Sequence, residues 1–424
     1  MKKLKVGVVG LRRGAMMRKY CRNAENAVLV AICDKRAAGL EKVKAELDDS
    51  SISYYTDYDE FLKQDMDVVM LANYATEHAP FAIKAMEAGK DVISEVLPVQ
   101  TMSEAVALIE CVQRTGRIYR YAENYCFMLA PQEMRRKYLA GELGEFEYGE
   151  GEYMHNCEPI WTEITYGDPN HWRNNMSALF YCTHSIGPLL HVCGMRPVRV
   201  NGFETPFNAR MARMGAKAGG IGMEVVTLEN GAVLKSIHGL GCSKNSVWFS
   251  VYGAKGRMES AREDADMGDV SQIYTNLDKI EGVSETNIQH YKPALPMAEK
   301  AEGYGHGGSD FYCLYNALEY IGGNREADTI DEYEAIDMWM CGFFGYLSVL
   351  NGNCSVEIPD MRDPAVRDRF RNDNRCTDPG IGKEQTLPSY SKGNPDIPVE
   401  IYEARRIEWE KTQKDIDFGS KKGV

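Results

Sequence analysis

The chain has 424 residues, 44% of them apolar and 26% charged, an ordinary globular balance with length for two to three domains. Its 49 Lys and Arg against 62 Asp and Glu leave a net charge of −13. That excludes the basic footprint a nucleic acid or an anionic membrane requires, and no apolar run approaches the ~18 residues of a membrane span.

The opening Met1-Lys2-Lys3-Leu4-Lys5 carries the charge of an export signal, but the apolar run from Val6 to Leu11 is too short for its core and meets Arg12-Arg13. The run is expected to be a buried strand, and the protein is expected in the cytoplasm. Its twelve cysteines would then stay reduced. No C-x-x-C occurs, and the closest pair, Cys182 and Cys193, is eleven apart. Neither a metal site nor a redox dithiol is expected, and the thiols read as small buried hydrophobes.

Over residues 1–125 strands alternate with helices. Strands are expected at Lys5–Gly10, Val28–Cys33, Asp67–Ala72, Asp91–Ser94 and Ile118–Ala122, and helices at 14–25, Ala37–Leu47, His78–Ala88 and Ser103–Thr115. Gly89 closes the third helix. This alternation predicts an α/β fold with an N-terminal Rossmann-type, doubly wound parallel sheet.

The rhythm changes over residues 126–355. Phe146 to Tyr153 alternates polar and apolar residues, and Val198–Phe203, Gly222–Leu228, Ala232–Ile237 and Ser246–Tyr252 also look like strands. Glu229-Asn230-Gly231 is a hairpin signal. An α+β domain with a mostly antiparallel sheet is predicted, with a long helix over 330–350. Residues 356–424 are rich in Pro, Asp and Arg. They are expected to form an extension wrapping the surface or a partner subunit.

Gly10-Leu11-Arg12-Arg13-Gly14-Ala15 lies between a strand and a helix, the place of a phosphate-binding turn. It departs from G-x-G-x-x-G, with Arg12 at the second Gly and Ala15 at the third. Asp34 closes the second strand, where a carboxylate binds adenosine ribose hydroxyls and repels a 2′-phosphate. NAD is therefore the expected cofactor, with Lys35 and Arg36 leaving NADP as the alternative.

These residues, with Asn73-Tyr-Ala-Thr-Glu-His78, the stretch Ala85 to Lys90 and Ser94-Glu95-Val96-Leu97-Pro98, resemble the Gfo/Idh/MocA family. The dehydrogenases of that family usually carry Glu-Lys-Pro, the Lys assisting deprotonation of the hydroxyl; here Val96 takes its place. They also carry an Asp three residues after the second-domain His, where this chain has Gly187 after His184. The departures are similar to the family's NAD-dependent α-N-acetylgalactosaminidase branch. That likeness rests on Glu123-Asn124-Tyr125-Cys126-Phe127, Glu150 to His155, Trp172-Arg173, Tyr181-Cys182-Thr183-His184-Ser185-Ile186-Gly187-Pro188 and Gly305-His306-Gly307-Gly308-Ser309-Asp310-Phe311. It runs over roughly residues 4–360. The chain is shorter than that branch between Tyr153 and His184, so the sugar's identity does not carry over. The resemblance implies a Rossmann domain binding NAD, with Asn73, His78, Glu95, Asn124 and Trp172 beside the cofactor, and a homodimer or homotetramer. An open antiparallel sheet face also favours pairing.

The branch's chemistry is redox-neutral: NAD⁺ oxidises a sugar carbon, usually C3, the neighbouring C–H becomes acidic, the aglycone is eliminated, water adds, and the carbon is reduced again. Such a site needs a base for the hydroxyl and a base for the C–H. Histidine as a residue type can take a hydroxyl proton near neutral pH, so His184 suits the first role, with Tyr181 beside it, and Gly187-Pro188 suggests a helix start behind the ring. Tyr153 is the candidate for the second role or its proton relay. Glu123 closes the fifth strand, at the sheet edge where ligands bind, as a sugar ligand or acid. Arg173 is expected to hold sugar oxygens or a negative group, and His306 to line the pocket on a flexible turn. The alternatives are an NAD-dependent sugar or inositol-type dehydrogenase with His184 as base, and a non-catalytic dinucleotide-binding regulator.

Overall fold

In a computed structural model, described over residues 3–262, 270–279 and 286–412, the apolar runs of the first third become a parallel sheet. Its strands are β1 (Leu4–Val9), β2 (Ala27–Cys33), β3 (Ser53–Tyr55), β4 (Val68–Leu71), β5 (Asp91–Ser94) and β6 (Tyr119–Tyr121), ordered β3-β2-β1-β4-β5-β6. All neighbours are parallel. Val6, Val8 and all of β4 are fully buried, because helices cover both faces of such a sheet. The edge strand β3, Ser-Tyr-Tyr, was not expected; three residues are too few to show a period. The strand order reverses between β1 and β4, and their carboxyl ends, with those of β2, β5 and β6, bring Gly10, Asp34, Asn73, Glu95 and Glu123 to one edge. Gly10 has φ +97°, and a Cβ there would stand 2.3 Å from the Ala72 carbonyl oxygen, so the turn demands glycine.

The second sheet comprises β7 (Phe146–Met154), β8 (Pro197–Glu204), β9 (Ile221–Leu228), β10 (Val233–Gly239), β11 (Ser246–Gly253), β12 (Gly256–Ser260), β13 (Ile273–Asp278), β14 (Thr286–Tyr291) and β15 (Val356–Glu357). The order is β14-β13-β12-β11-β7-β10-β9-β8-β15. The sheet is antiparallel apart from the β10–β7 pair. The helix expected over 330–350 is Glu332–Leu350 and packs on β8. The helix Thr183–Cys193 lies on β7. Gly151 permits this, since a Cβ there would come 2.0 Å from the Ser185 carbonyl oxygen. The close approach sets His184 beside Tyr153.

Gly187-Pro188 does not start that helix. The helix begins at Thr183, with Pro188 inside it. At the sixth helical position the proline leaves the His184 carbonyl without its helical hydrogen bond, and His184 itself sits in the first turn.

Residues 356–412 contact the rest of the chain at several points. Arg371 pairs with Glu110, and Ser103 Oγ bonds Asn374, both on the first domain's side. Tyr346 donates to the Pro388 carbonyl, and Ser389 donates to that of Asn175. The extension then forms a helix, Val399–Thr412, against the short helix Trp161–Thr165. Residues 413–424, also assigned to the extension, lie outside the described residues.

Candidate active site

Asp34 organises the turn after β1. Its Oδ2 accepts from the Leu11 amide at 2.9 Å, and its Oδ1 accepts from the Arg36 amide at 2.9 Å. The helix Gly14–Asn23 then begins with no side-chain cap and no acidic residue in its first turn. An uncapped, positive helix end in that position suits a pyrophosphate, so the residues present fit a dinucleotide. The two arginines of the turn point elsewhere. Arg12 crosses to Glu163, at 2.7 Å from its carbonyl oxygen and 3.0 Å from its carboxylate. Arg13 makes a bidentate pair with Asp310 at 2.9 and 2.6 Å and reaches Glu95 at 2.5 Å.

Asp310 ties this corner together. It also accepts from Asn124 Nδ2 at 2.9 Å and faces His306 Nδ1 at 3.2 Å. Burial opposes its charge, but Arg13 and His306 hold its carboxyl well below the usual range. Asp310 was missed as a functional residue, although it stands inside the Gly-His-Gly-Gly-Ser-Asp element.

Two residues expected against the cofactor serve the loops around it. His78 is buried, with Nδ1 2.8 Å from the Leu97 carbonyl oxygen. Burial pushes its pKa down to about 4, so the neutral ring pins the loop carrying Glu95. Asn73 donates to Glu77 at 3.2 Å, leaving its buried Oδ1 without a partner. Val96 is buried and supplies no base.

His184 and Glu123 form the centre. Nδ1 of His184 lies 2.6 Å from Glu123 Oε1, and both residues are buried. Glu123 was expected to meet sugar or act as an acid. Its side chain is instead fully buried, with Oε1 on His184 and the Tyr125 amide and Oε2 without a partner. Tyr125, Tyr153 and Tyr181 surround the imidazole, their ring centroids 4.3, 4.8 and 5.2 Å from it. With Nδ1 donating to the carboxyl oxygen, Nε2 remains as the acceptor.

Tyr153 hydrogen-bonds His155 Nδ1 at 2.9 Å, and Cys157 Sγ lies 3.3 Å from the same nitrogen. Burial raises the Tyr153 pKa well above 10 and pushes His155 down to about 4. The phenol is therefore protonated and donates to a neutral imidazole. His155 was quoted in a motif but given no role; only the fold shows it against Tyr153.

Arg173 stacks over Trp172 at 4.3 Å and lies 5.4 Å from the Tyr181 ring centroid. Among the described residues it has no carboxylate at ion-pair distance. Tyr153, Arg173 and Tyr181 line a cleft of about 390 Å³ whose far wall includes Met176, Met211 and Leu240. His238, unnoticed in the sequence, also lines it, because β10 runs parallel to β7 with His238 opposite Tyr153. His306 sits nearer the Arg13–Asp310 corner, 5.6 Å from the Tyr125 ring.

Residues 4–123 match the family model of the oxidoreductase family with an NAD-binding Rossmann fold, and residues 200–366 match the glycosyl hydrolase 109 C-terminal domain. The chain is 32% identical over 202 residues to glycosyl hydrolase family 109 protein 1 of Bacteroides fragilis; this spans 44% of the chain and 42% of that relative. It is 26% identical over 410 residues to the Phocaeicola vulgatus protein of the same name, spanning 84% of each. In fold it is similar to levoglucosan dehydrogenase in complex with NADH and L-sorbose, with TM-score 0.68, 16% identity, and coverage of 85% of this chain and 100% of that one. An oxidoreductase domain protein from Kribbella flavida superposes with TM-score 0.69 at 18% identity, with the same coverage.

Proposed function

We propose that this chain, which joins an NAD-binding Rossmann domain of the Gfo/Idh/MocA family to a glycosyl hydrolase 109 C-terminal domain, is a glycosidase that uses NAD with no net redox change. The observation that carries the proposal is two adjacent proton-handling pairs, one of which reaches the cleft through Tyr153. His184–Glu123 and Tyr153–His155 have their His184 and Tyr153 rings 4.8 Å apart. A plain dehydrogenase needs only one base.

NAD bound at the sheet edge supplies a reversible two-electron sink for one sugar carbon. His184 Nε2 takes the proton of the hydroxyl on that carbon, and Glu123 at Nδ1 stabilises the resulting imidazolium. Tyr153 relays the proton of the neighbouring C–H: its hydroxyl passes its own proton to the neutral His155 imidazole as it takes up the carbon's. Arg173 and Tyr181 hold sugar oxygens, and His306 closes the wall near Asn124. A carbohydrate glycoside is the substrate class, processed in the cytoplasm by a homo-oligomer paired through the outer face of the nine-stranded sheet. Light scattering at micromolar concentration giving a mass of 47.7 kDa would contradict that pairing.

A screen of nitrophenyl glycosides with and without NAD⁺, following nitrophenol and NADH together, tests the activity. Nitrophenol release that depends on NAD⁺ with no accumulating NADH is expected. NADH rising in step with product would make the protein a dehydrogenase. No turnover on any sugar would favour a dinucleotide-binding regulator.

A further inference from the structure

The segment between Cys157 and Asn175 belongs to the second domain but reaches over the cofactor edge of the first. Glu163 receives Arg12 from the glycine-containing turn. The Tyr166 ring lies 5.8 Å beneath the guanidinium of Arg36, two residues after Asp34. The Tyr74 ring packs edge-on against His171 at 5.0 Å, and His171 in turn against Tyr166 at 5.7 Å. The crossing thus touches the ends of β1, β2 and β4, the three strand ends that frame the adenosine half of the dinucleotide groove.

The segment has little structure of its own. It consists of helices of five and four residues, too short to be stable alone. Between them Tyr166 has φ +59° and Gly167 φ +65°, an unfavourable pair of conformations in which only the glycine is at ease. What backs it is the C-terminal helix Val399–Thr412. Thr162 Oγ1 bonds Glu408 at 2.7 Å and Arg405 at 2.9 Å. The Trp409 ring lies 5.2 Å from that of Tyr166. A Cβ on Gly167 would stand 2.4 Å from the Arg406 amide nitrogen. Tyr402, 5% exposed, donates to the Gly215 carbonyl at 2.8 Å and fixes the helix to the second domain.

We propose that this strap, held down by the C-terminal helix through Tyr166, Gly167 and Trp409, closes the adenosine half of the NAD site and retains the cofactor between turnovers. Arg12, Arg36 and Tyr74 are its latches on the first domain. A dinucleotide in the groove must leave past them, so dissociation waits on opening the strap. The inference rests on the NAD-binding domain and stands whichever reaction the site performs.

Full-length wild type and the variants Gly167→Val, Trp409→Ala and Tyr74→Ala would be loaded with NADH, and its release followed by fluorescence on mixing with excess NAD⁺. Hydrogen exchange over 158–175 in the same samples reports whether the strap has loosened. Release about tenfold faster in all three variants is expected, with association little changed, since contacts formed after encounter act on dissociation. Exchange should rise in the strap while β1, β4 and the His184 helix keep wild-type protection. Release unchanged in variants whose strap has loosened would overturn the clamp while leaving NAD binding intact. Wild type that binds no NADH would overturn the clamp and the cofactor assignment together.

Discussion

His184 Nδ1 donates to Glu123 Oε1 across 2.6 Å, and the two residues come from elements far apart in the chain: the start of the helix Thr183–Cys193 and the second residue after β6. A buried carboxyl behind an imidazole fixes the ring's tautomer and direction. His184→Ala should lower turnover ~10²–10⁴-fold, the usual loss for a general base. Glu123→Gln keeps the shape and removes the charge. It should lower kcat with little change in KM and shift the pH profile of turnover, because the carboxyl acts through the imidazole and does not meet substrate. Equal losses in kcat and 1/KM would place Glu123 in contact with the sugar.

Tyr153 and His155 should act after the first proton transfer. Tyr153→Phe removes the hydroxyl that bonds His155 at 2.9 Å. It is expected to permit partial reduction of NAD⁺ on mixing with substrate yet to stop aglycone release. Product formed by wild type in D₂O should carry deuterium at C2. Product without it would remove the elimination step, whatever cofactor is bound.

Much of this site could be read along the chain because its residues stand in short, ordered elements: Gly10 to Ala15 between strand and helix, Asp34 at a strand end, His184 near Tyr181. What could not be read depends on pairing between distant segments. Glu123 looked like a ligand at the sheet edge because nothing local shows that His184, 61 residues on, covers it. His238 became visible only through the parallel β10–β7 register. Asp310 gains its meaning from Arg13, 297 residues away. The strands β12, β13 and β14 were missed, and β14 is exposed along nearly its whole length, so no apolar alternation marks it.

Asp34 carries two tasks in one carboxylate, since the oxygens that would meet ribose also hold the Leu11 and Arg36 amides. Asp34→Ala should therefore weaken NADH by more than a lost ligand contact. A charge-assisted hydrogen bond contributes ~1.5–3 kcal/mol, so Kd should rise ~10–100-fold or more by titration calorimetry. A change under twofold would remove Asp34 from the site.

His191 gives the second domain a pH-dependent anchor. It is buried on the helix that carries His184, with Nδ1 2.7 Å from Glu334 and Nε2 3.3 Å from Asp328. Burial alone would lower its pKa, but Glu334 and Asp328 override this and raise it to about 9. In the unfolded chain a histidine titrates near ~6.5, so folding favours the protonated ring. The contribution is complete below ~6.5 and is lost as pH rises through about 9. Thermal melts should show the wild type losing stability between pH 7 and 10 more steeply than His191→Gln, whose neutral amide titrates nowhere in that range. Tyrosines and thiols ionise in both proteins, so the difference between the two curves isolates His191. Parallel curves would mean that the ring is neutral in the folded protein and that its two carboxylate contacts add no charge-dependent stability.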